Sequence, residues 1–299
     1  GLEGKQITEM GLLADAGAVA FTDGLKALED AQVMARALSY ASTFGLLIVQ
    51  HPEENSLTHE GVMNSGETAT RLGLAGIPPE AEVIMIERDI RLAEMTGGRI
   101  HFAHVSTAAS INAIRQAKAR DIRVSCDTAP PYFALNELAI GDYRTFAKLA
   151  PPLRDESDRQ AVVAGLADGT IDAIASDHLP QDEEAKRLPF SEAAFGGTGL
   201  ETLLTVTLEL VHNGHIDLLE AIALLTSKPA DLFKLDAGRL EAGAPADLMI
   251  FNPEKGWKVT DQKLHSKSKN SPFDGRPVQG QVLRTVVDGR IVFELDNLS

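Results

Sequence analysis

Short apolar runs alternate with longer amphipathic stretches along much of the chain. The runs are rich in β-forming residues and occupy positions 18–23, 46–51, 100–104, 122–127 and 171–177. The stretches between them space their apolar residues at helical intervals, at 31–44, 80–95, 108–120 and 157–167. This alternation predicts a parallel α/β sheet with helices outside it, and the near-continuous apolar runs are typical of strands buried on both faces.

The pattern changes toward the C-terminal end. Helical spacing continues at 201–213 and 218–226, but 246–251 and 282–293 are β-type runs. The second β-type run contains the turn signal Asp288-Gly289. We therefore predict one large α/β domain over residues 1–242, followed by a small β appendage with a tail over residues 243–299.

Composition narrows the possible functions. The chain has 299 residues and a formal net charge of −15, which argues against nucleic acid or an anionic membrane as the main partner. No apolar run is long enough to span a bilayer, and the first residues lack the pattern of an export signal. The single cysteine, Cys126, allows no internal disulfide, so we expect a reducing, cytoplasmic setting.

The predicted strands end in side chains that bind metals. Asp23, His51, His104 and Asp177 each close one apolar run. In a parallel α/β barrel the carboxyl ends of the strands face the active site, so these four side chains would converge. Carboxylate oxygen and imidazole nitrogen are ligands for zinc or a similar divalent metal, which acidifies bound water. An aspartate beside such a metal can serve as the general base.

Each of these residues also has a structural interpretation. Asp23 precedes Gly24 and could form a turn, and His104 could be a buried imidazole ahead of a helix capped by Thr107. Asp177 follows a largely apolar run, where a purely structural role is less natural. The four residues at equivalent strand ends together favour a metal site over four separate structural roles.

Two further histidines lie close to this set. His101 precedes His104 by three residues, in the run that His104 closes, and we predict a structural role for it. His178 points to the opposite side of the strand from Asp177. We predict that His178 supports the site without binding the metal.

The segments around these strand ends resemble the bacterial class I dihydroorotases of the amidohydrolase superfamily. The resemblance runs over essentially the whole chain, and the order and spacing of its motifs make it specific. The matching segments are GAVAFTDG at 17–24, HPEEN at 51–55, RLGLAGIPPEAE at 71–82, HVST at 104–107, PPLR at 151–154, DGTIDAIASDHLP at 168–180, FGGTGLET at 195–202, SKPADLF at 227–233, GAPADLMIFNP at 243–253 and SKSKNSPFDG at 266–275.

The resemblance implies a fold, a reaction and a substrate loop. The fold would be a (β/α)₈ TIM-type barrel with a small β domain, and the chain would supply the barrel units from about the fourth onward. The reaction would be the reversible, zinc-dependent hydrolysis of the cyclic amide of dihydroorotate to carbamoyl aspartate. Phe195 and Gly196 match a loop that contacts the substrate through its backbone.

The resemblance also assigns roles to the strand-end residues. Asp23 matches the position that bridges two metals, where hydantoinases and allantoinases usually have a carboxylated lysine. His51 and His104 match metal-binding histidines, and Asp177 matches an aspartate that is both ligand and acid/base. The resemblance therefore implies a site for one or two zinc ions and favours a dihydroorotase over its relatives.

The sequence departs from the family pattern at several positions. No His-x-His motif is present, which implies that the first barrel units are missing and that the remaining strands would expose apolar edges. Ala150 stands where the family often has a substrate-contacting Asn, and Gln181 replaces a His. The family's Thr-Pro-His-His is replaced at 129–132 by Ala-Pro-Pro-Tyr. The substrate pocket has therefore changed more than the metal ligands.

These departures keep two other functions open. One is a catalytically inactive dihydroorotase-like subunit that acts as a scaffold for aspartate carbamoyltransferase. The other is a hydrolase of a different cyclic ureide or imide. For the enzyme itself, we expect a small-molecule substrate, a homo-oligomer and association with aspartate carbamoyltransferase as a further partner.

Overall fold

The computed structural model describes residues 2–295. Its strands are β1 Ala20–Phe21, β2 Leu47–Gln50, β3 Met63–Asn64, β4 Gly76–Ile77, β5 Arg99–Phe102, β6 Val124–Thr128, β7 Ala173–Ile174, β8 Leu248–Lys258, β9 Pro277–Val287 and β10 Arg290–Glu294. Its α-helices are α1 Met10–Asp15, α2 Ala31–Phe44, α3 Asn55–Thr58, α4 Glu67–Leu72, α5 Glu80–Thr96, α6 Ala108–Lys118, α7 Pro130–Ala134, α8 Glu156–Ala167, α9 Glu183–Arg187, α10 Leu203–His212, α11 Leu218–Ala223 and α12 Ser227–Phe233. Short 3₁₀ turns lie at Glu137–Ile140, Thr145–Ala147, Leu200–Thr202 and Asp261–Lys263.

A five-stranded parallel sheet forms the centre of the molecule. Its strand order is β1-β2-β5-β6-β7, and every neighbouring pair is parallel. The five strands are those predicted from the apolar runs, so the predicted parallel α/β sheet is confirmed. Because the strands run in one direction, their carboxyl ends lie at one edge of the sheet, where the functional side chains are expected.

Helix α2 forms because an amphipathic segment carries a capping residue at each end. Asp30 begins α2 by accepting hydrogen bonds from the backbone N–H groups of Gln32 and Val33, and Gly45 ends it in the left-handed conformation with φ 65°. The buried face of α2 includes Met34 and Leu38, both fully buried. This face belongs to the main apolar core, which lies between the sheet and the outer helices.

The C-terminal segment forms a three-stranded antiparallel sheet. Its order is β10-β9-β8, and Asp288-Gly289 connects β9 to β10 as the sequence predicted. This sheet is attached to the α/β domain, since Thr205 Oγ1 on α10 donates a hydrogen bond to the backbone oxygen of Gln279 at 2.6 Å. The predicted β appendage is therefore present, and the boundary at residue 242 stays a prediction.

The two ends of the parallel sheet are unpaired in the part of the chain described. A cleft of about 710 Å³ runs along the free side of β1 and is lined largely by apolar residues.

Across residues 2–295, no helix is long and apolar enough to cross a membrane.

Candidate metal and catalytic site

Three of the predicted site residues lie together at the carboxyl edge of the sheet. His51 follows β2 directly, while His104 and Asp177 follow β5 and β7 after short extensions. The rings of His51 and His104 have centroids 6.4 Å apart, and Nε2 of His104 lies 4.0 Å from Oδ1 of Asp177. The structure therefore brings His51, His104 and Asp177 together.

Two buried imidazole nitrogens in this group have no protein partner. Nδ1 of His51 and Nδ1 of His104 are buried and make no hydrogen bond within the described residues. An unpaired buried polar atom costs about 1–3 kcal/mol, so these atoms point to a ligand that binds them. Imidazole nitrogens beside a carboxylate are donors suited to zinc, and the donor types present therefore fit a divalent metal.

The remaining predicted ligand, Asp23, lies apart from the other three. Its side chain is half-buried and lines the cleft along β1. Between residues 2 and 295, no contact joins the Asp23 carboxylate to His51, His104 or Asp177, and no three His, Cys, Asp or Glu side chains lie close enough to hold a metal ion. The four-residue ligand set stays a prediction.

The backbone is strained at two of the site residues. His104 has φ 55° and Asp177 has φ 46°, in the left-handed region that residues other than glycine rarely adopt. Such strain costs on the order of 1–3 kcal/mol and is concentrated at functional sites. At His104 it is supported by Asp127, whose Oδ1 accepts a hydrogen bond from the His104 backbone N–H at 2.8 Å.

Asp127, which is not among the predicted site residues, belongs to a buried network next to the site. Oδ2 of Asp127 lies 2.8 Å from Nε2 of His101, whose Nδ1 lies 2.9 Å from Oγ of Ser125. Burial alone raises the pKa of Asp127, but the nearby His104 and His101 lower it overall. The ring of His101 therefore holds Asp127 in place beside His104, which agrees with the structural role predicted for His101.

Asp177 is held by a tyrosine that the sequence did not indicate. The hydroxyl of Tyr132 donates a hydrogen bond to Oδ2 of Asp177 at 2.9 Å. Burial raises the pKa of Asp177 above its usual range, although His104 and the Tyr132 hydrogen bond oppose this increase. A carboxyl group with a raised pKa is suited to accept and return a proton during a reaction.

His51 also has a carboxylate partner. Its Nε2 lies 3.0 Å from Oε2 of Glu53. Burial raises the pKa of Glu53, but hydrogen bonding and charge interaction with His51 lower it overall. With Nε2 occupied by Glu53, Nδ1 of His51 is the ring nitrogen left for a metal.

The predicted substrate residues lie in a tightly packed loop. Gly196 has φ 106°, and a Cβ added there would lie 2.6 Å from the backbone oxygen of Leu179. Its backbone N–H donates a hydrogen bond to the oxygen of Lys148 at 3.0 Å. The ring of Phe195, which is half-buried, lies 4.6 Å from Nζ of Lys148. Contact of Phe195 and Gly196 with substrate remains a prediction.

The segment after this loop packs directly on the strand end that carries Asp177. Nδ1 of His178 accepts hydrogen bonds from the backbone N–H groups of Gly199 and Leu200, at 3.1 and 3.3 Å. A Cβ on Gly199 would lie 2.0 Å from the backbone oxygen of Ser176. His178 therefore connects the two segments.

The substituted positions Pro131 and Gln181 line two different spaces. Pro131, Leu149 and Asp177 line a cavity of about 10 Å³, which is close to the volume that one water molecule needs. Gln181 lines a separate cleft of about 650 Å³ that also includes Lys186 and Lys267. Gln181 therefore faces a different space from Asp177 in this conformation.

Comparison with known proteins identifies relatives in sequence. The profile of the Amidohydrolase family matches residues 2–292. The chain is 47% identical over 296 residues to the dihydroorotase of Geotalea daltonii, an alignment that covers 99% of this chain and 70% of that protein. The match therefore extends across the sheet, the site and the C-terminal strands.

Solved structures give the same fold. The L-hydantoinase (dihydropyrimidinase) from Arthrobacter aurescens matches with a TM-score of 0.85 at 28% identity, over 96% of this chain and 67% of that one. The dihydropyrimidinase from Brevibacillus agri matches with a TM-score of 0.84 at 24% identity, over 97% of this chain and 68% of that one. These similarities confirm the predicted barrel fold.

Proposed function

The chain belongs to the amidohydrolase family and, within it, to the dihydroorotases, and on that premise we propose that Asp177 is its acid/base in opening a cyclic amide. The reaction is the reversible hydrolysis of dihydroorotate to carbamoyl aspartate. The observation that carries the proposal is the position of Asp177, which is buried, bonded to Tyr132 and 4.0 Å from His104.

The proton path follows from the surroundings of Asp177. In the hydrolytic direction, a carboxylate oxygen of Asp177 takes a proton from water as the water oxygen bonds to the ring carbonyl carbon. The carbon–nitrogen bond then breaks, and the same proton passes from Asp177 to the departing nitrogen. Ring closure uses these steps in reverse. The raised pKa of Asp177 strengthens it as the base that takes the proton from water.

We propose that His51, His104 and Asp177 hold a divalent metal, with Asp23 as a further ligand. One or two zinc ions agree with the nitrogen and oxygen donors. A metal bound there would polarise a carbonyl and lower the pKa of water. Glu53 and Asp127 orient His51 and His104, respectively, from outside the ligand set.

The backbone of the loop at Phe195 and Gly196 is proposed to contact the substrate. Its support is the close packing of Gly196 against Leu179. Leu179 lies two residues after Asp177 in the chain, so the loop backbone lies beside the strand end that carries Asp177. Association with aspartate carbamoyltransferase, assembly into a homo-oligomer and a cytoplasmic location stay predictions from the sequence.

The test is a coupled measurement on protein with its native N-terminus. Metal content is determined first, and dihydroorotate hydrolysis is then measured with and without added zinc. The expected result is zinc-dependent turnover that Asp177→Asn reduces by at least a thousandfold while the protein stays folded. Asp182→Asn, in the exposed cap of α9, is the matched control and should keep the wild-type rate.

A second candidate function is the inactive scaffold subunit. It is favoured by the small cavity beside Asp177, which Pro131 and Leu149 help to close. A folded protein that binds zinc but lacks turnover on dihydroorotate would point to a different cyclic amide. A folded protein that neither binds metal nor turns over would favour the scaffold.

A further inference from the structure

Two buried lysines lie beside the predicted substrate loop. The residues Lys148 and Lys186 are 2% and 3% exposed. Burying an ammonium group is costly unless it is paired or hydrogen-bonded, and buried lysines usually have a carboxylate partner. Within the described range, neither lysine has one, and both ammonium groups bind backbone carbonyl oxygens instead.

Lys148 holds the beginning of the loop. Its Nζ donates hydrogen bonds to the backbone oxygens of Phe190 and Ser191, at 2.8 and 3.0 Å. The same ammonium group lies over the ring of Phe195, 4.6 Å from its centroid. The backbone oxygen of Lys148 accepts the N–H of Gly196 at 3.0 Å. One residue thus contacts both ends of the 190–197 loop.

Lys186 completes the attachment from the other side. Its Nζ donates to the backbone oxygens of Ala194, Thr145 and Lys148, at 2.7, 3.0 and 3.2 Å. These three acceptors belong to the loop and to the segment that leads to Lys148. The ammonium group of Lys186 therefore joins the loop to its support immediately before Phe195.

We propose that Lys148 and Lys186 are positioning residues that fix the backbone of the 190–197 loop for substrate binding. A methionine of similar length would avoid the cost of desolvating an ammonium group, but it cannot bind several carbonyl oxygens at once. The inference rests on the proposed function, in which Phe195 and Gly196 contact the substrate. Both lysines act through the loop and touch no predicted metal ligand.

The test uses Lys148→Met and Lys186→Met in protein with its native N-terminus. Lys118→Met is the matched control, because Lys118 is part-buried and bonds Asp172 and the oxygen of Thr170 at the opposite end of the sheet. We expect each loop variant to raise the KM for dihydroorotate about tenfold, with kcat changed less than threefold. The control should change neither constant.

Amide hydrogen exchange gives a readout that does not depend on activity. Both loop variants should exchange faster in residues 190–197, at least tenfold at Gly196, while the control does not. A wild-type protein without turnover on dihydroorotate defeats the proposed function and leaves this exchange result to decide the positioning role. The proposal is overturned if exchange in the loop is unchanged or if KM is unchanged in an active enzyme. It is also overturned if global unfolding alone accounts for the changes in KM and exchange.

Discussion

Tyr132 donates a hydrogen bond from its hydroxyl to Oδ2 of Asp177 across 2.9 Å, and this contact joins α7 to the end of the last parallel strand. Both side chains are largely buried, and burial together with the Asp177 charge raises the pKa of the Tyr132 hydroxyl far above its usual range. Tyr132 therefore stays protonated and remains a donor throughout the range in which Asp177 titrates.

Removing this donor should slow the reaction. In Tyr132→Phe, Asp177 loses a hydrogen bond to a charged group, worth about 1.5–3 kcal/mol, and we expect kcat to fall at least tenfold. Tyr143→Phe is the control, since its hydroxyl also donates one hydrogen bond, to the oxygen of Leu72, but at an exposed position. Steady-state kinetics on dihydroorotate measure kcat for both variants. Equal losses of kcat in Tyr132→Phe and Tyr143→Phe would contradict a specific role for Tyr132.

The segment after His104 depends on a buried glutamate. Glu82, which is 2% exposed, accepts hydrogen bonds from the backbone N–H groups of Ser106 and Thr107 and lies 3.7 Å from Arg154. In Glu82→Gln, Arg154 loses its buried partner charge, and we expect the free energy of unfolding to fall by about 3 kcal/mol. Urea denaturation followed by circular dichroism measures this loss.

The control for this variant lies on the same helix. Glu87→Gln changes an exposed glutamate of α5 and should alter the free energy of unfolding by less than about 0.5 kcal/mol. A Glu82→Gln protein as stable as the Glu87→Gln protein would show that the buried carboxylate contributes no net stability to this segment.

Close packing at Gly199 makes a separate prediction. A Cβ there would lie 2.0 Å from the backbone oxygen of Ser176, next to Asp177, so Gly199→Ala has to displace the strand end. Misplacement of a reacting group by about 1 Å costs about a hundredfold in rate, and we expect kcat to fall by that factor. Gly66→Ala has open space around the new methyl group and should keep its rate. An active Gly199→Ala enzyme would mean that the strand end tolerates the shift.

The sequence predicted helices more closely than strands. The bounds predicted for α2 are those observed, because its apolar spacing is bracketed by the Asp30 cap and by Gly45. β1 and β7 were predicted as long runs but pair over only two residues each, Ala20–Phe21 and Ala173–Ile174. Hydrophobicity marks residues that are buried at a strand end as well as those that pair, so it overestimates strand length.

The longest missed strand segments lie in the C-terminal sheet. β8 continues through Pro253 and Gly256, beyond the β-type run predicted at 246–251. β8 is an edge strand, where a proline does not remove a required ladder hydrogen bond, and the register shifts between Asn252 and Gly256. Whether a strand accepts a proline depends on its position in the sheet, and the local sequence carries no information about that position.

The site shows the same division between local and tertiary information. Asp127 closes an apolar run just as His51 and Asp177 do, so the strand-end signal was available for it. Tyr132 gave no such signal, because its partner is distant in the chain and the contact depends on how α7 packs. Sequence patterns therefore identified residues at the strand ends, but not Tyr132, which orients one of them.

Burial of Lys186 makes stability depend on pH. Burial and the neighbouring charge of Lys148 lower the pKa of Lys186 to about 8, against about 10.4 for an exposed lysine. Between these values the unfolded chain binds more protons than the folded chain, so the free energy of unfolding rises with pH across this window. Over the whole window the free energy of unfolding rises by about 3 kcal/mol, and this contribution is absent below pH 8.

This dependence should disappear in Lys186→Met. We expect wild-type protein to gain about 2 kcal/mol relative to the variant between pH 7.5 and pH 10, as measured by urea denaturation at each pH. The exposed Lys258→Met controls for the titration of other groups and should follow the wild-type curve. A wild-type and Lys186→Met pair with a constant stability difference over this range would show that Lys186 keeps an ordinary pKa, because only a lysine that loses its proton on folding produces the slope.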